Sequence, residues 1–392
     1  MNTIPFSPAD ILLPDTDRPE AWATIACDQF TSEPEYWDSV RRQTADALSC
    51  YHLTLPEIYL DKPDTAERIN RIRQTMEQYL NDRVFREYRD ALIFVERTLA
   101  DGRVRKGLVG KLDLAAYDYT PDSRPLIRPT EGTVLSRIPA RVQIRKDAPI
   151  ELPHVMVLID DRERTVLEPL DPSGWEVLYD FDLMENGGHL KGYLLPGEAK
   201  KAVLSALEAL REKSNGLLFA VGDGNHSLAS AKAHAATAAA PEAGYALAEI
   251  TNIHDEALDF EPIYRVMFGI DPADVIAALR EAFPESDGRP VEYQTADTCG
   301  RFFVGGLETK VLQDFLDEYA AAHPGAQIDY IHGKDSLMTL ARRPGAIGFL
   351  FGGITKETLF PYVAENGPLP RKTFSMGEAR DKRYYMEARR IR

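Results

Sequence analysis

One short segment combines residue types that bind anions with residue types that move protons. The apolar run at residues 217–221 is followed at once by Gly222-Asp223-Gly224-Asn225-His226-Ser227 and then by an alanine-rich stretch that favours a helix. Glycines let the chain turn, and N–H groups at a helix start point at a bound phosphate or carboxylate. A plain strand-to-helix turn capped by Asp223 or Asn225 would show part of the same pattern. Because Asp, Asn, His and Ser together exceed what a cap requires, the segment predicts an anion-binding turn.

An acidic segment near the start of the chain, CDQFTSE at residues 27–33, follows another short apolar run. Asp28 and Glu33 are candidates for a general base or a metal ligand, because carboxylates accept hydroxyl protons and bind Mg²⁺. Glu33 also suits the start of the next predicted helix, where a negative charge is stabilising. Asp28 is therefore the stronger candidate for function, and Cys27 fits a small buried residue.

Two basic segments interrupt an acidic chain. The formal net charge is −16, which opposes general binding to nucleic acid. Residues 124–146 contain six Arg or Lys and one Glu, a net charge of +5, and residues 371–392 contain eight Arg or Lys and three acidic residues, again +5. Two such islands favour a local anionic ligand, although a solvated surface would have the same composition.

Both basic segments contain candidate phosphate ligands. Arg137, Arg141 and Arg145 are spaced four apart and share a face in a helix or a strand, and arginine binds two phosphate oxygens at once. Pro139 argues against an uninterrupted helix through them. In the second segment, one ammonium and two hydroxyls suit a phosphate, and they belong to Lys372, Thr373 and Ser375.

The hydrophobic pattern predicts a mixed α/β protein of the α+β class. Turn signals at residues 100–103 and 186–188 each separate two predicted strands, and residues 217–221, 227–238 and 245–253 predict a strand-helix-strand unit. Further predicted helices cover residues 35–48, 65–80, 272–282 and 310–321, and further predicted strands cover residues 153–159, 165–170, 302–305 and 346–351.

Several classes of protein find no support in the sequence. No apolar run reaches the roughly 18 residues of a membrane span, and residues 1–14 lack the features of a signal peptide. The three cysteines form no CxxC pair, and no GxxxxGK[ST], GxSxG or HExxH motif occurs. We therefore expect a cytoplasmic protein without a P-loop. The histidines other than His226 show no metal-ligand spacing and are expected to be structural.

Long stretches of the chain resemble a domain-of-unknown-function family of bacterial and archaeal proteins in the ParB/sulfiredoxin superfamily, related to the free serine kinases. The resemblance spans nearly the whole chain and rests on the stretches IACDQFTSEPEYW, RIPARVQIR, LPHVMVLIDD, YDFDLMENGGHLKGYLL, GDGNH, NIHDEALDFEPIYR and LPRKTFSMGEARDKRYYMEARRI. It implies a ParB/sulfiredoxin-like core at residues 121–265, with large additions at residues 1–120, which contain Asp28, and 266–392, whose basic tail would complete the cleft.

The superfamily shares a phosphate-binding motif after a strand, read in many relatives as Asp-Gly-His-His-Arg. Asp223, Gly224 and His226 match this motif, whereas Asn225 replaces the first His and Ser227 replaces the Arg. The resemblance implies that Gly224, Asn225 and Ser227 bind phosphate. The missing positive charge would then come from arginines or a lysine elsewhere in the chain, with candidates Arg137, Arg141 and Lys372.

The activities of the superfamily imply a phosphotransferase for a small hydroxyl substrate such as free L-serine. Asp28 would accept the hydroxyl proton, Asp223 would hold Mg²⁺ or orient the nucleophile, and His226 would act with the turn on the donor, which is ADP, ATP or pyrophosphate. The alternative is a nucleotide-binding sensor or scaffold without catalysis, as in the CTP-binding relatives. Neither nucleic acid nor membrane is an expected partner, and the sequence leaves the oligomeric state open.

Overall fold

The computed structural model describes residues 4–284 and 286–392 and divides them into two compact units. The main unit comprises the described chain up to Leu258 together with Ala364–Gly367 and Glu378–Arg392, and the second unit comprises Asp259–Val363 and Pro368–Gly377. Helices and strands occur in both units, which confirms the predicted α+β class. The division into segments 1–120, 121–265 and 266–392 stays a prediction.

The elements are numbered in chain order. The α-helices of the described chain are α1 (Pro19–Trp22), α2 (Pro34–Gln43), α3 (Thr65–Asn81), α4 (Ile138–Arg145), α5 (Gly197–Lys213), α6 (Asn225–Ala235), α7 (Pro272–Ala282), α8 (Glu308–Ala322), α9 (Lys334–Ala341) and α10 (Lys356–Asn366). The strands are β1 (Phe6–Ser7), β2 (Ala9–Pro14), β3 (Thr24–Ile25), β4 (Phe85–Ala91), β5 (Ile93–Thr98), β6 (Val104–Asp113), β7 (Ile127–Pro129), β8 (Ile150–Glu151), β9 (Met156–Ile159), β10 (Val177–Asp182), β11 (His189–Leu194), β12 (Phe219–Asp223), β13 (Tyr245–Asn252), β14 (Phe260–Pro262), β15 (Tyr264–Phe268), β16 (Arg289–Gln294), β17 (Cys299–Val304), β18 (Gln327–Ile331), β19 (Ala346–Phe351), β20 (Phe374–Met376), β21 (Tyr384–Tyr385) and β22 (Ala388–Arg390).

A large sheet forms the centre of the main unit. Its strands lie in the order β10-β11-β5-β6-β13-β9-β12-β7, and β1 pairs with β6 outside this path. The predicted hairpins are confirmed, since β5 pairs antiparallel with β6 and β10 pairs antiparallel with β11. The predicted strand-helix-strand unit is confirmed as β12, α6 and β13, and it lies beside β9, which separates the two strands.

The predicted strand at residues 165–170 is wrong. The segment is irregular because the carboxylate of Asp161 accepts hydrogen bonds from the backbone N–H groups of Thr165 and Val166, at 2.6 and 2.8 Å, and from the Thr165 hydroxyl. An aspartate that bonds the backbone a few residues further on offers the chain an alternative to a sheet. The strand before it is present as β9.

The basic segment of residues 124–146 contains a helix, α4, although the spacing alone left helix and strand open. Pro139 lies in the first turn of α4, where a missing N–H group removes no helix hydrogen bond. Arg141 and Arg145 therefore lie one turn apart on the helix, whereas Arg137 precedes its first residue. Helix α4 packs against α6, the helix that follows the predicted anion-binding turn.

The second unit contains a sheet of its own, with strands in the order β17-β16-β19-β15-β18. The predicted helix at 272–282 is confirmed as α7, the predicted helix at 310–321 as α8, and the predicted strands at 302–305 and 346–351 as β17 and β19. The antiparallel pair β14 and β20 also belongs to this unit. Among the described residues, no helix combines the length and apolar character needed to cross a membrane.

A buried charge network fixes the end of the chain within the main unit. Arg383 forms ion pairs with Glu249 of β13 and with Glu387, and all three side chains are at most 3% exposed. Burial opposes the charge of Arg383, but the two carboxylates outweigh this effect and hold its pKa above its ordinary value. The absence of a side chain at Gly107 leaves the space that Glu249 occupies.

Replacing Arg383 with Met would leave Glu249 and Glu387 buried without their cation, which costs about 3–5 kcal/mol. We expect a fall of this size in the free energy of unfolding of the main unit, measured by urea denaturation. The matched control is Arg41→Met, which removes one partner of an exposed ion pair with Asp38 and should cost less than about 1 kcal/mol. Equal losses would contradict a special role for the buried network.

Candidate active site

Three segments of the main unit meet at a cluster of titratable side chains. Strand β3 leads directly to Asp28, the chain before β9 carries His154, and the end of β12 carries Asp223. The last segment of the chain lies beside them, because β21 pairs antiparallel with β3 and the N–H of Ala26 donates to the carbonyl of Arg383 at 2.9 Å. The cluster thus depends on contacts between residues more than 350 positions apart, since Tyr385 pairs with Thr24.

The turn after β12 has the geometry that the glycines predicted. The register of β12 against β9 shifts between Val221 and Asp223, so Gly222 adds an extra residue, as in a β-bulge. Gly224 then takes the left-handed conformation, with φ of +78°, and precedes the first residue of α6. A Cβ atom at Gly224 would lie 3.1 Å from Cα of Val155 and 3.3 Å from the ring of His154. The turn is therefore packed directly against the segment that carries His154.

Asp28 is held in its charged form. Oδ2 of Asp28 lies 3.8 Å from Nε2 of His154, and the side-chain amide of Gln29 donates to Oδ1 at 3.0 Å. Burial raises the pKa of Asp28, but His154, the Gln29 hydrogen bond and the charge of Lys382 together outweigh burial, so the pKa lies below its ordinary value. Asp28 is therefore a carboxylate near neutral pH, as a proton acceptor must be.

Asp223 is pushed in the opposite direction. Burial and the negative charge of Asp28 raise the pKa of Asp223, and the opposing effects of Lys382, His154 and the Gly224 N–H do not compensate. Oδ2 of Asp223 and Oδ1 of Asn225 are buried and lack a hydrogen-bond partner. Two carboxyl groups whose surroundings drive their pKa values apart are typical of acid–base sites.

Two residues of this cluster were missed by sequence reasoning. His154 was expected to be structural, and Lys382 was not singled out among the basic residues of the tail. Lys382 acts electrostatically on both Asp28 and Asp223, so it supplies the cation that the turn itself lacks. The available signal was the +5 charge of residues 371–392. That signal could not show which basic residue reaches the turn.

Other candidates on the turn and on α4 are engaged by the protein. The Nε2 atom of His226 accepts a hydrogen bond from the N–H of Val134 at 3.2 Å, which ties the turn to the chain before α4. Arg141 forms an ion pair with Glu57, whose N–H donates to the carbonyl of Cys27 at 2.8 Å. Arg141 therefore lies near the cluster with its charge partly balanced.

The remaining candidates are either exposed or belong to the second unit. Arg137 is exposed, and Glu33 is exposed at the start of α2. Lys372, Thr373 and Ser375 belong to the second unit, where the Thr373 hydroxyl donates to the carbonyl of Pro370 at 2.6 Å. Their predicted convergence with the turn of the main unit stays a prediction.

Cys27 is adjacent to Asp28 but is not poised for nucleophilic chemistry. Burial and the negative charge of Asp28 raise the pKa of its thiol to about 12, although Tyr385 and Arg141 act in the opposite direction. Because the thiolate is the reactive form, the thiol is inert near neutral pH. Cys27 is therefore not a candidate nucleophile at this site.

The residues present fit a divalent cation that is also bound by substrate. Among the described residues, no group of three or more His, Cys, Asp or Glu side chains could hold a metal ion alone. Mg²⁺ usually takes one or two carboxylates, several waters and substrate phosphates. The unpartnered oxygens of Asp223 and Asn225 are ligands of the kind that Mg²⁺ prefers.

Comparison with known proteins identifies the family. The family model described as "Protein of unknown function (DUF1015)" matches residues 8–389. The chain belongs to this family. No curated protein matches the sequence significantly. Placement of the family in the ParB/sulfiredoxin superfamily stays a prediction.

Several solved structures are similar to the chain at low sequence identity. A C-terminally truncated SbnI from Staphylococcus aureus is 8% identical, with a TM-score of 0.38, and the match covers 69% of this chain and 82% of SbnI. A variant of a free serine kinase in complex with ADP is 13% identical, with a TM-score of 0.42 and coverages of 72% and 92%. A conserved hypothetical protein from Pyrococcus furiosus is also 13% identical, with a TM-score of 0.37 and coverages of 72% and 94%.

The turn after β12 provides a direct test of the anion site. Gly224→Ala forces a side chain into the left-handed conformation, which costs about 1–2 kcal/mol, and its methyl group also presses on Val155. We expect a loss of stability in urea denaturation and weaker binding of pyrophosphate in calorimetry. The matched control is Gly102→Ala, which has φ of +86° but no atom within 4 Å of the added Cβ. Unchanged pyrophosphate binding by the Gly224→Ala variant would contradict an anion site at this turn.

Proposed function

We propose that the protein is a phosphotransferase that acts on a small alcohol, most specifically free L-serine, with a nucleotide or pyrophosphate as donor. One observation carries the proposal: a charged carboxylate, Asp28, lies beside an unpartnered carboxylate, Asp223, at the start of a helix that follows a left-handed glycine. A base and a phosphate-binding turn side by side are the parts that phosphoryl transfer to a hydroxyl group requires.

Asp28 acts as the general base in this proposal. The substrate hydroxyl loses its proton to the Asp28 carboxylate while its oxygen forms a bond with the transferred phosphorus. The bond from phosphorus to the leaving oxygen of the donor breaks, so the leaving group is AMP from ADP, ADP from ATP, and phosphate from pyrophosphate. The lowered pKa keeps Asp28 ready to accept a proton, and partial burial limits competition from water.

The donor phosphates are assigned to the turn and its surrounding cations. The proposal assigns an anion to the backbone N–H groups from Gly224 to Ser227, because the first N–H groups of a helix such as α6 lack carbonyl partners within it. Lys382 contributes positive charge beside the same turn. The further phosphate ligands of the proposal within the main unit are Asn225, His226, Arg137 and Arg141.

Mg²⁺, when bound, would neutralise charge on the donor phosphates. Asp223 would hold the ion through its unpartnered Oδ2, with Asn225 beside it. A cation at this place would also favour the ionised form of Asp223, whose pKa is raised in its absence.

The experiment that tests the proposal mixes the purified full chain with Mg²⁺, L-serine and, in separate reactions, ADP, ATP or pyrophosphate. Formation of O-phosphoserine, detected by mass spectrometry, is the expected result. ADP is the first donor to test, because a free serine kinase among the similar structures was solved with it. Binding of a donor without transfer to serine or to other small alcohols would favour the non-catalytic sensor and overturn the proposed activity.

Asp28→Asn should lower kcat at least about 100-fold, because general-base catalysis contributes about 10²–10⁴-fold and an amide cannot accept the proton. Donor binding, measured by calorimetry, should stay close to that of the wild type. The matched control is Glu33→Gln, which alters an exposed carboxylate five residues away and should leave kcat unchanged. Full activity of Asp28→Asn would exclude this residue as the base.

Asp223→Asn should weaken the Mg²⁺-dependent part of donor binding as well as lower turnover. The variant removes a negative ligand, and Mg²⁺ relies on carboxylates for its few protein contacts. The measurement is the donor dissociation constant with Mg²⁺ and with excess chelator. We expect the two values to differ at least about tenfold in the wild type and to converge in the variant, a loss of about 1.4 kcal/mol. An unchanged difference would place the metal elsewhere.

A further inference from the structure

A chain of hydrogen bonds connects the backbone beside Asp28 to the ring of His154. The N–H of Cys27 donates to Oη of Tyr385 at 3.1 Å, and Oη of Tyr385 lies 2.7 Å from Nδ1 of His154. A backbone N–H can only donate, so Oη of Tyr385 is the acceptor in the first bond. The direction of the second bond then decides where the proton of the imidazole lies.

The hydroxyl of Tyr385 also contacts the Cys27 thiol, but sulfur is a weak acceptor, so the hydroxyl proton has a strong acceptor only if Nδ1 of His154 is unprotonated. Tyr385 is 1% exposed, and a buried hydroxyl that donates to no group costs free energy. Burial also raises the pKa of Tyr385 far above its ordinary value, so the hydroxyl keeps its proton. If Nδ1 carried the imidazole proton, it would donate to Oη together with the Cys27 N–H, and only the weakly accepting Cys27 sulfur would remain for the hydroxyl proton.

We infer that Tyr385 fixes neutral His154 in the form protonated at Nε2, so that this N–H faces the carboxylate of Asp28. The hydrogen bond made by one imidazole nitrogen sets the state of the other, and Nε2 lies 3.8 Å from Oδ2 of Asp28. The ring is held in place on its other side, since it also packs edge-on against the ring of Tyr385.

His154 is thereby a positioning residue for the proposed base, an assignment that rests on the proposed function. Its Nε2–H presents the positive end of a dipole to Asp28 and favours the carboxylate before the substrate binds. The imidazole keeps its own proton throughout, because the substrate proton goes to Asp28. Tyr385 contributes through His154 alone and does not need to touch the substrate.

The proton arrangement is measured directly by ¹⁵N NMR of the full chain labelled at histidine, at a pH where His154 is neutral. His154→Gln identifies the signals of this residue among the eight histidines. We expect a protonated Nε2 and an unprotonated, hydrogen-bonded Nδ1. In Tyr385→Phe, Nδ1 loses the hydroxyl that donates to it. Its ¹⁵N signal should therefore move toward that of an unprotonated nitrogen without a hydrogen bond. The matched control is Tyr384→Phe, which alters the neighbouring ring over Arg97 and should leave the signal unchanged.

A protonated Nδ1 in the wild type would overturn the inference. So would a Tyr385→Phe variant, folded by circular dichroism, whose Nδ1 signal equals that of the wild type. Neither result depends on enzymatic activity, so failure of the proposed kinase reaction and failure of this inference are separate outcomes.

Two isosteric substitutions test the positioning role. The amide nitrogen of glutamine stands near the place of Nε2 and keeps a donor toward Asp28, whereas that of asparagine stands near Nδ1 and loses it. By analogy with other partners that orient a reactive group, we expect His154→Asn to lower kcat about 10–100-fold with little change in donor affinity. His154→Gln should recover a substantial part of this loss. Equal kcat values for both variants would overturn the role.

Discussion

The structure of the main unit depends on one buried guanidinium group, that of Arg383. Its side chain pairs with Glu249 in the central sheet and with Glu387, and it donates to the carbonyl of Pro153 at 3.2 Å. Its own carbonyl accepts the N–H of Ala26. One residue thus contacts the segment before Asp28, the residue before His154 and the strand β13. Its neighbours in the chain, Lys382 and Tyr385, therefore lie beside the cluster of Asp28, His154 and Asp223.

The same burial gives the site its electrostatic character. A low-dielectric environment makes each charge depend on its partners, which is why Arg383 needs two carboxylates. Lys382 and His154 favour the ionised form of both Asp28 and Asp223, but at Asp223 burial and the charge of Asp28 outweigh them. At an exposed surface the two aspartates would titrate alike.

Sequence patterns predicted the features that depend on residues close together in the chain. The turn from Gly222 to Ser227 follows from glycine spacing, and the hairpins follow from their turn residues. His154 and Lys382 could not be found in this way, because each acquires its role from neighbours that are distant in the chain. The spacing of Arg141 and Arg145 suggested anion binding, but the structure pairs them with Glu57 and Glu151.

The strand predicted at residues 165–170 is absent because of one hydrogen-bond acceptor that the hydrophobic pattern does not register. The apolar residues there suggested a strand, and a single carboxylate, Asp161, captured the backbone N–H groups that a neighbouring strand would have used. A hydrophobic pattern counts apolar side chains and does not count competing acceptors.

The discontinuity of the main unit has a consequence for how the protein is made. All strands of its large sheet precede Leu258, so this scaffold is complete in the growing chain before the second unit is synthesised. Strand β3 has no partner at that stage, because β21 is made more than a hundred residues later. Chains are synthesised from the N-terminus and domains fold largely as units. A ribosome-bound chain would therefore carry His154 and Asp223 beside a finished sheet, while Asp28 would lack the pairing of β3 with β21 and Lys382 would not yet be made. The large sheet can therefore form during synthesis before Lys382 joins the two aspartates.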